Sequence, residues 1–212
     1  MNYPSIEECR GLFEEYKVPN TIKTHCETVH KVAVFMAEEL AKNKLNPEFK
    51  INVPLISSFS LLHDFMKAVV LERLGDAPYF YTPTLEEREM HQQLRKRFAG
   101  MSETKASFLI LKDKYPQFAA LFLELDELTR NPKATTSNEA RLVHYVDWRI
   151  LGNKIVPLSE RMKYIYERYK PWIIKNNLNW NEIVTDQQEY ERKLFNQLPF
   201  KSDELQNYAV LN

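Results

Sequence analysis

The chain has 212 residues, 44% of them hydrophobic, with 29 basic against 29 acidic side chains and a formal net charge of zero. Such a chain can bury one sizeable core, which argues against wholesale disorder, and its balanced charge implies no broad basic face and gives binding of a long nucleic acid no support, while leaving room for a local basic pocket. Glycine occurs only 4 times, and because sheets lean on glycine for hairpins and bulges, an all-α fold is expected.

Residues 5–17, SIEECRGLFEEYK, read as a short amphipathic helix with Leu12, Phe13 and Tyr16 facing inward. From Thr21 a long helical pattern follows, with Ile22, His25, Val29, Val32, Ala33, Met36, Ala37 and Leu40 spaced by threes and fours. Pro47 and Pro54 bracket a loop, Pro54 suits a first helical turn, and residues 55–74 continue as a nearly all-apolar helix. Apolar residues all round a helix imply burial on several sides, so this one is expected at the centre of the fold. GDAPYFYTPT at 75–84 reads as a loop, whose Tyr79, Phe80 and Tyr81 can cover a pocket, stack on a base or pack.

Helices are expected next at 85–98 and 103–114, after Pro116, and over EARLVHYVDWRIL with Ser137 or Asn138 as its cap. Gly152 and Asn153 end that helix, Pro157 opens LSERMKYIYERY and Pro171 closes it. One further helix near 180–196 and a tail complete the chain, and no strand is predicted. The organisation expected is a helical domain over 1–170 with a C-terminal helical extension over 171–212.

Cys9 and Cys26 form neither a CxxC pair nor a disulfide framework, which favours a reducing setting. The polar start MNYPSIEECR lacks the apolar core of a signal peptide, and no stretch approaches the roughly 18 apolar residues of a membrane span. A cytoplasmic chain without membrane contact is expected.

In SFSLLHDFMKAVV, at 59–71, His63 and Asp64 interrupt the most apolar run of the chain. The dipeptide alone is weak, since a buried hydrogen-bonded pair accounts for it equally well. His25 lies on the inward stripe of its helix, and Asp147 interrupts LVHYVDWRIL among Val143, Val146 and Ile150. Buried carboxylates are costly unless paired or bound to metal. Two imidazoles and two carboxylates sharing one cation would account for all four residues. Asp147 paired with Arg149 or Arg161 is the rival reading. Two nitrogen and two oxygen donors suit Mn, Fe, Co, Ni or Zn, with Mg also accommodated.

These segments together resemble the HD-domain superfamily of metal-dependent phosphohydrolases, whose ligands follow the order H…HD…D. NTIKTHCETVHKVAVFMAEEL resembles the first motif, SLLHDFMKA resembles the LLHDxxKA segment, and ARLVHYVDWRI with IVPLSERMKYIYERY resembles the stretch around the last aspartate. The resemblance covers roughly residues 18–170. It implies an all-α HD-type bundle in which His25, His63, Asp64 and Asp147 bind one divalent metal. Asp64 would also orient or deprotonate the attacking water, and Lys67, one helical turn on, would offset charge on a substrate phosphate. Many members carry several histidines between the HD pair and the last aspartate, whereas only His91 and His144 lie there, His144 within the last motif itself, and MSETKA and LELDEL stand where others are expected. One metal is therefore expected rather than two, and His91 is a candidate substrate contact on a charged helix.

The implied reaction is hydrolysis of a phosphomonoester or phosphodiester of a nucleotide or other small phosphorylated molecule. A degenerate module that binds a nucleotide or partner protein without hydrolysis is the alternative, and an RNA-end or cyclic-nucleotide phosphodiesterase a third. Self-association is compatible with the sequence. His30 is read as structural, His144 as packing or hydrogen-bonding near the site without coordinating, and MKYIYERYKPW as a packing surface.

Overall fold

Small polar side chains open many of the helices. In the computed structural model, which describes residues 1–43, 49–75 and 81–209, Ser5 caps α1 (Ile6–Glu15) in a reciprocal box with Glu8. Asn52 caps α3 (Val53–Leu62), Thr84 caps α4 (Leu85–Arg97), Ser102 caps α5 (Glu103–Leu111) and Ser137 caps α7 (Asn138–Asp147). Each oxygen satisfies an amide that the first helical turn leaves without a partner. The Pro47 turn and Tyr79–Phe80 lie outside the described residues.

α2 (Asn20–Lys42), the longest described helix, buries the expected stripe from Ile22 to Leu40. It packs along α3 and also against α7. α3 is buried on nearly every side. Phe59 stands edge-on to Phe122 at 5.2 Å and to Phe118 at 6.0 Å, both on α6 (Pro116–Arg130). Aromatic edges of this kind contribute about 0.5–1.5 kcal/mol beyond the area they bury. They tie α3 to the α5–α6 pair.

The apolar helix ends twelve residues before the expected boundary at 74: α3 stops at Leu62. The Ser60 carbonyl, which would accept from residue 64 in a continuing helix, accepts from His63 Nδ1 at 2.7 Å. Tighter bonds follow, with Lys67 N–H on the Asp64 carbonyl at 2.8 Å, then a 3-10 turn over Lys67–Val69. The HD pair therefore sits at a helix end rather than along a helix flank.

Two further expectations are corrected. α7 ends at Asp147, and Ile150–Leu151 pairs antiparallel with Lys154–Ile155 as a short ribbon, β1 and β2, around Gly152. Gly152 has φ +67°, a conformation that glycine adopts without steric cost. α8 (Leu158–Lys175) runs straight through Pro171, held beyond it by buried Ile173. The expected boundary at 170/171 thus falls inside a helix. α9 (Trp180–Phe195) and α10 (Leu205–Ala209) follow, with Leu205 fully buried in the same core. No described helix is long and apolar enough to cross a membrane.

Candidate metal centre

Three chain segments bring their functional side chains to one point. α2 contributes His25 from its inward stripe, the end of α3 contributes His63, and the last residue of α7 contributes Asp147. One ligand atom from each lies within 4.8 Å of the others, and among the described residues this is the cluster suited to a metal ion. His25 Nε2 stands 3.0 Å from Asp147 Oδ1, and His63 Nε2 stands 3.8 Å from the same oxygen. Two donors each about 2.1 Å from one ion, at angles between roughly 90° and 130°, are themselves about 3.0–3.8 Å apart. The spacing fits a shared cation.

Both imidazoles are oriented from behind. His25 Nδ1 lies 3.0 Å from the Gly152 carbonyl, and His63 Nδ1 lies 2.7 Å from the Ser60 carbonyl. Donating Nδ1–H to a carbonyl leaves Nε2 with a lone pair, the arrangement that metal-bound histidines use. His63 Nε2 is buried and has no hydrogen-bond partner among the described residues. His25 faces acceptors at both ring nitrogens, and a neutral imidazole has only one N–H to give. A cation between Nε2 and Oδ1 would satisfy all three donor atoms at once. The ribbon carbonyl of Gly152 was not foreseeable, because its role depends on where the chain turns.

The carboxylates are held ionised. Burial opposes the charge on Asp147, but His25, His63 and then Arg161 outweigh it and keep the carboxyl well below its usual range. Arg161 Nη2 lies 3.7 Å away, so one of the two expected rivals for Asp147 is present. Arg149 instead pairs with Glu191. Asp64 lines the same cavity but lies outside the three-residue cluster, its Oδ2 3.6 Å from Lys67 Nζ. Burial opposes its charge too, and Lys67 followed by His63 lowers its pKa. Lys67 faces the cavity as expected, yet it donates to Glu103 Oε1 at 2.6 Å.

The other histidines are accounted for. His91 is buried rather than solvated, its Nε2 donating to the Leu71 carbonyl at 2.9 Å, and it does not line the cavity. His30 Nδ1 donates to the Ser57 carbonyl at 2.9 Å. His144 lies in the cavity wall against Trp148, with its Nδ1 3.2 Å from Gln187 Nε2.

His144 carries a pH prediction. Burial lowers its pKa from the ordinary 6.5 to about 4, with Asp147 opposing and Arg141 assisting. Between those values the unfolded chain binds a proton that the folded chain refuses. Stability is therefore full above pH 6.5 and falls with pH towards 4, by about 3 kcal/mol from this group. Asp64 and Asp147, both lowered below 3.8, act only in more acidic solution. Urea unfolding at pH 7 and pH 4 should show wild type losing about 3 kcal/mol more than His144→Gln. Parallel losses would contradict the assignment.

The cavity around the cluster has a volume of about 960 Å³. Arg161, Tyr164, Ile165, Arg168, Tyr169 and Trp172 line one wall, a stripe at helical spacing along α8. MKYIYERYKPW thus gives one face to the cavity wall, while Met162 is buried in the core and Tyr166 packs against Trp180. Its periodicity was readable, but aromatic stripes are ambiguous until their neighbour is known. Glu103 and Asp126, from MSETKA and LELDEL, also line the cavity, and Asp126 accepts from Thr104 at 3.0 Å.

Comparison with protein-family models, curated proteins and solved structures gives no match to this chain.

Proposed function

We propose that the chain is a metal-dependent phosphohydrolase of the HD type, acting on a small phosphorylated molecule, with a nucleotide the best fit. The observation that carries this reading is the convergence of two carbonyl-oriented imidazoles on one aspartate oxygen inside a large cavity. His25, His63 and Asp147 would hold one divalent ion of the Mn, Fe, Co, Ni, Zn or Mg group. When bound, such an ion lowers the pKa of a coordinated water and polarises a phosphoryl oxygen.

The chain's own residues supply the rest. Asp64, ionised and lining the cavity, would orient the attacking water and take its proton. Lys67 keeps Asp64 charged. Aromatic walls from Tyr164, Trp148 and Trp180 offer flat faces to a base, with Trp148 and Trp180 stacked at 6.0 Å. Cysteines that are both buried and free agree with a cytoplasmic setting.

The test is a screen of nucleotides and other phosphate esters with Mn, Co, Ni and Mg. Metal-dependent release of phosphate is expected, falling by about 100-fold or more in Asp64→Ala. Full activity in that variant would sink the mechanism. Tight nucleotide binding without turnover of any compound would favour the non-hydrolysing module, to which the engagement of Lys67 by Glu103 lends some weight.

A further inference from the structure

Lys67 is the cation that the sequence offers to a substrate phosphate, and the fold has already engaged it. Its ammonium donates to Glu103 Oε1 at 2.6 Å and stands 3.6 Å from Asp64 Oδ2. Burial opposes its charge, while Asp64 and then Glu103 more than restore it. An ammonium flanked by two carboxylates has little net field left for a third anion.

Arg161 is arranged differently. It projects from α8 into the cavity wall, with its guanidinium over the Tyr164 ring at 5.3 Å. Nη2 is 3.7 Å from Asp147 Oδ1, too long for a hydrogen bond. Nε is buried and has no hydrogen-bond partner among the described residues. Nε–H and Nη2 are the two parallel donors on the side edge of a guanidinium, the edge that takes a pair of oxygens from one oxyanion. This chain therefore holds an unsatisfied fork beside Asp147, at the margin of the metal cluster. An unmade bond on a buried donor is destabilising, and a fold that carries one next to a metal-binding cluster is suited to a ligand that completes it. A carboxylate of the protein does not fill this role: Asp147, the acid within 4 Å, is directed at the two imidazoles.

We infer that Arg161 is the residue that binds the phosphoryl group of the substrate, side-on through Nε and Nη2, while Lys67 remains committed to Asp64 and Glu103. The inference rests on the reading of this cavity as a phosphohydrolase centre. A tetrahedral phosphate can give two oxygens to the fork and keep a third directed towards His25, His63 and Asp147. Arg161 thereby also fixes the orientation of the ester, since its leaving group must point away from α8. Tyr164 beneath the guanidinium limits its rotation, which makes the fork a rigid receptor rather than a mobile charge.

The experiment is calorimetric titration of inorganic phosphate into the full chain loaded with Mn²⁺. Wild type is expected to bind it, and Arg161→Gln to bind it about 10–100-fold more weakly. Mn²⁺ affinity, measured on the same variant, should not show the roughly 10–100-fold loss that follows removal of a hydrogen bond to a ligand, since Arg161 makes none to Asp147 and its positive charge opposes the ion. Arg161→Lys, which keeps the charge and loses the fork, should recover only part of the affinity. It also serves as the folded control if the glutamine variant is unstable. Lys67→Met should weaken phosphate less than Arg161→Gln does. Equal affinity in wild type and Arg161→Gln would overturn the inference, as would the larger loss falling on Lys67→Met, or no phosphate binding by wild type. If phosphate binding depends on Arg161 but no ester is hydrolysed in the screen, the anion site stands and the hydrolase reading fails.

Discussion

Asp147→Asn is expected to abolish divalent-metal binding at the proposed centre while leaving the chain folded. The substitution keeps size and shape but replaces the oxygen anion on which His25 Nε2 and His63 Nε2 converge, at 3.0 and 3.8 Å. An amide oxygen is a much weaker ligand for a divalent ion, and even losses outside the ligand set typically cost 10–100-fold in affinity. A loss of at least about 100-fold in Mn²⁺ affinity is therefore expected, read by calorimetry. Stability supplies an independent readout. A ligand at 100 times its Kd raises the unfolding free energy by about 2.7 kcal/mol, and that gain should vanish in the variant. Without metal the variant should unfold at a lower denaturant concentration than wild type, because the attraction of His25, His63 and Arg161 that outweighs the burial of the carboxylate is lost. Unaltered metal affinity in Asp147→Asn would dismiss the centre altogether.

Arg149→Leu is expected to be the most destabilising of the substitutions considered. Arg149 is only 3% exposed, and four of its five N–H donors are engaged, across four parts of the chain. Nε donates to the Val156 carbonyl at 2.8 Å, Nη1 to Tyr145 Oη at 2.7 Å and to Glu191 Oε2 at 3.0 Å, and Nη2 to the Ser202 carbonyl at 2.9 Å. Removing one member of such a buried pair leaves the other charge uncompensated, at a cost of about 3–5 kcal/mol. That is a large part of the roughly 5–15 kcal/mol that holds a domain together. A second substitution, Glu191→Leu, should recover much of the loss, because the stranded carboxylate is then gone as well. Denaturant midpoints of the two single variants and the double variant form the test. Additive losses would mean that the pair is not the source of the effect.

The two arginines show how far the sequence could be read. Both lie close enough to Asp147 in the chain to be named as its partners, and only the fold separates them. Arg149 is paired with Glu191 and structural, whereas Arg161 is under-used and faces the cavity. The helical class was legible from scarce glycine and from threes-and-fours spacing, and α2 buries the stripe it was expected to bury. The end of α3 was not legible. An apolar run has no internal mark for where a helix should stop, and the mark here is a side chain, His63, taking the Ser60 carbonyl. The passage of α8 through Pro171 was missed because local chemistry argues for a break, while tertiary burial of Ile173 favours continuation. At the site, His25, His63 and Asp147 could be selected from their apolar surroundings. The pairing of Lys67 with Glu103 joins residues 36 apart and could not.

The Gly152 turn has a practical side. A two-residue hairpin at the surface is where an engineer would ordinarily graft a peptide tag or open the chain for circular permutation. Here the turn's carbonyl sets the tautomer of His25 from 127 positions away in sequence. Longer chain inserted at this tip would rotate that carbonyl and release the ring it steadies. The tip is part of the centre's scaffolding, and grafts are better directed to another exposed stretch of the surface.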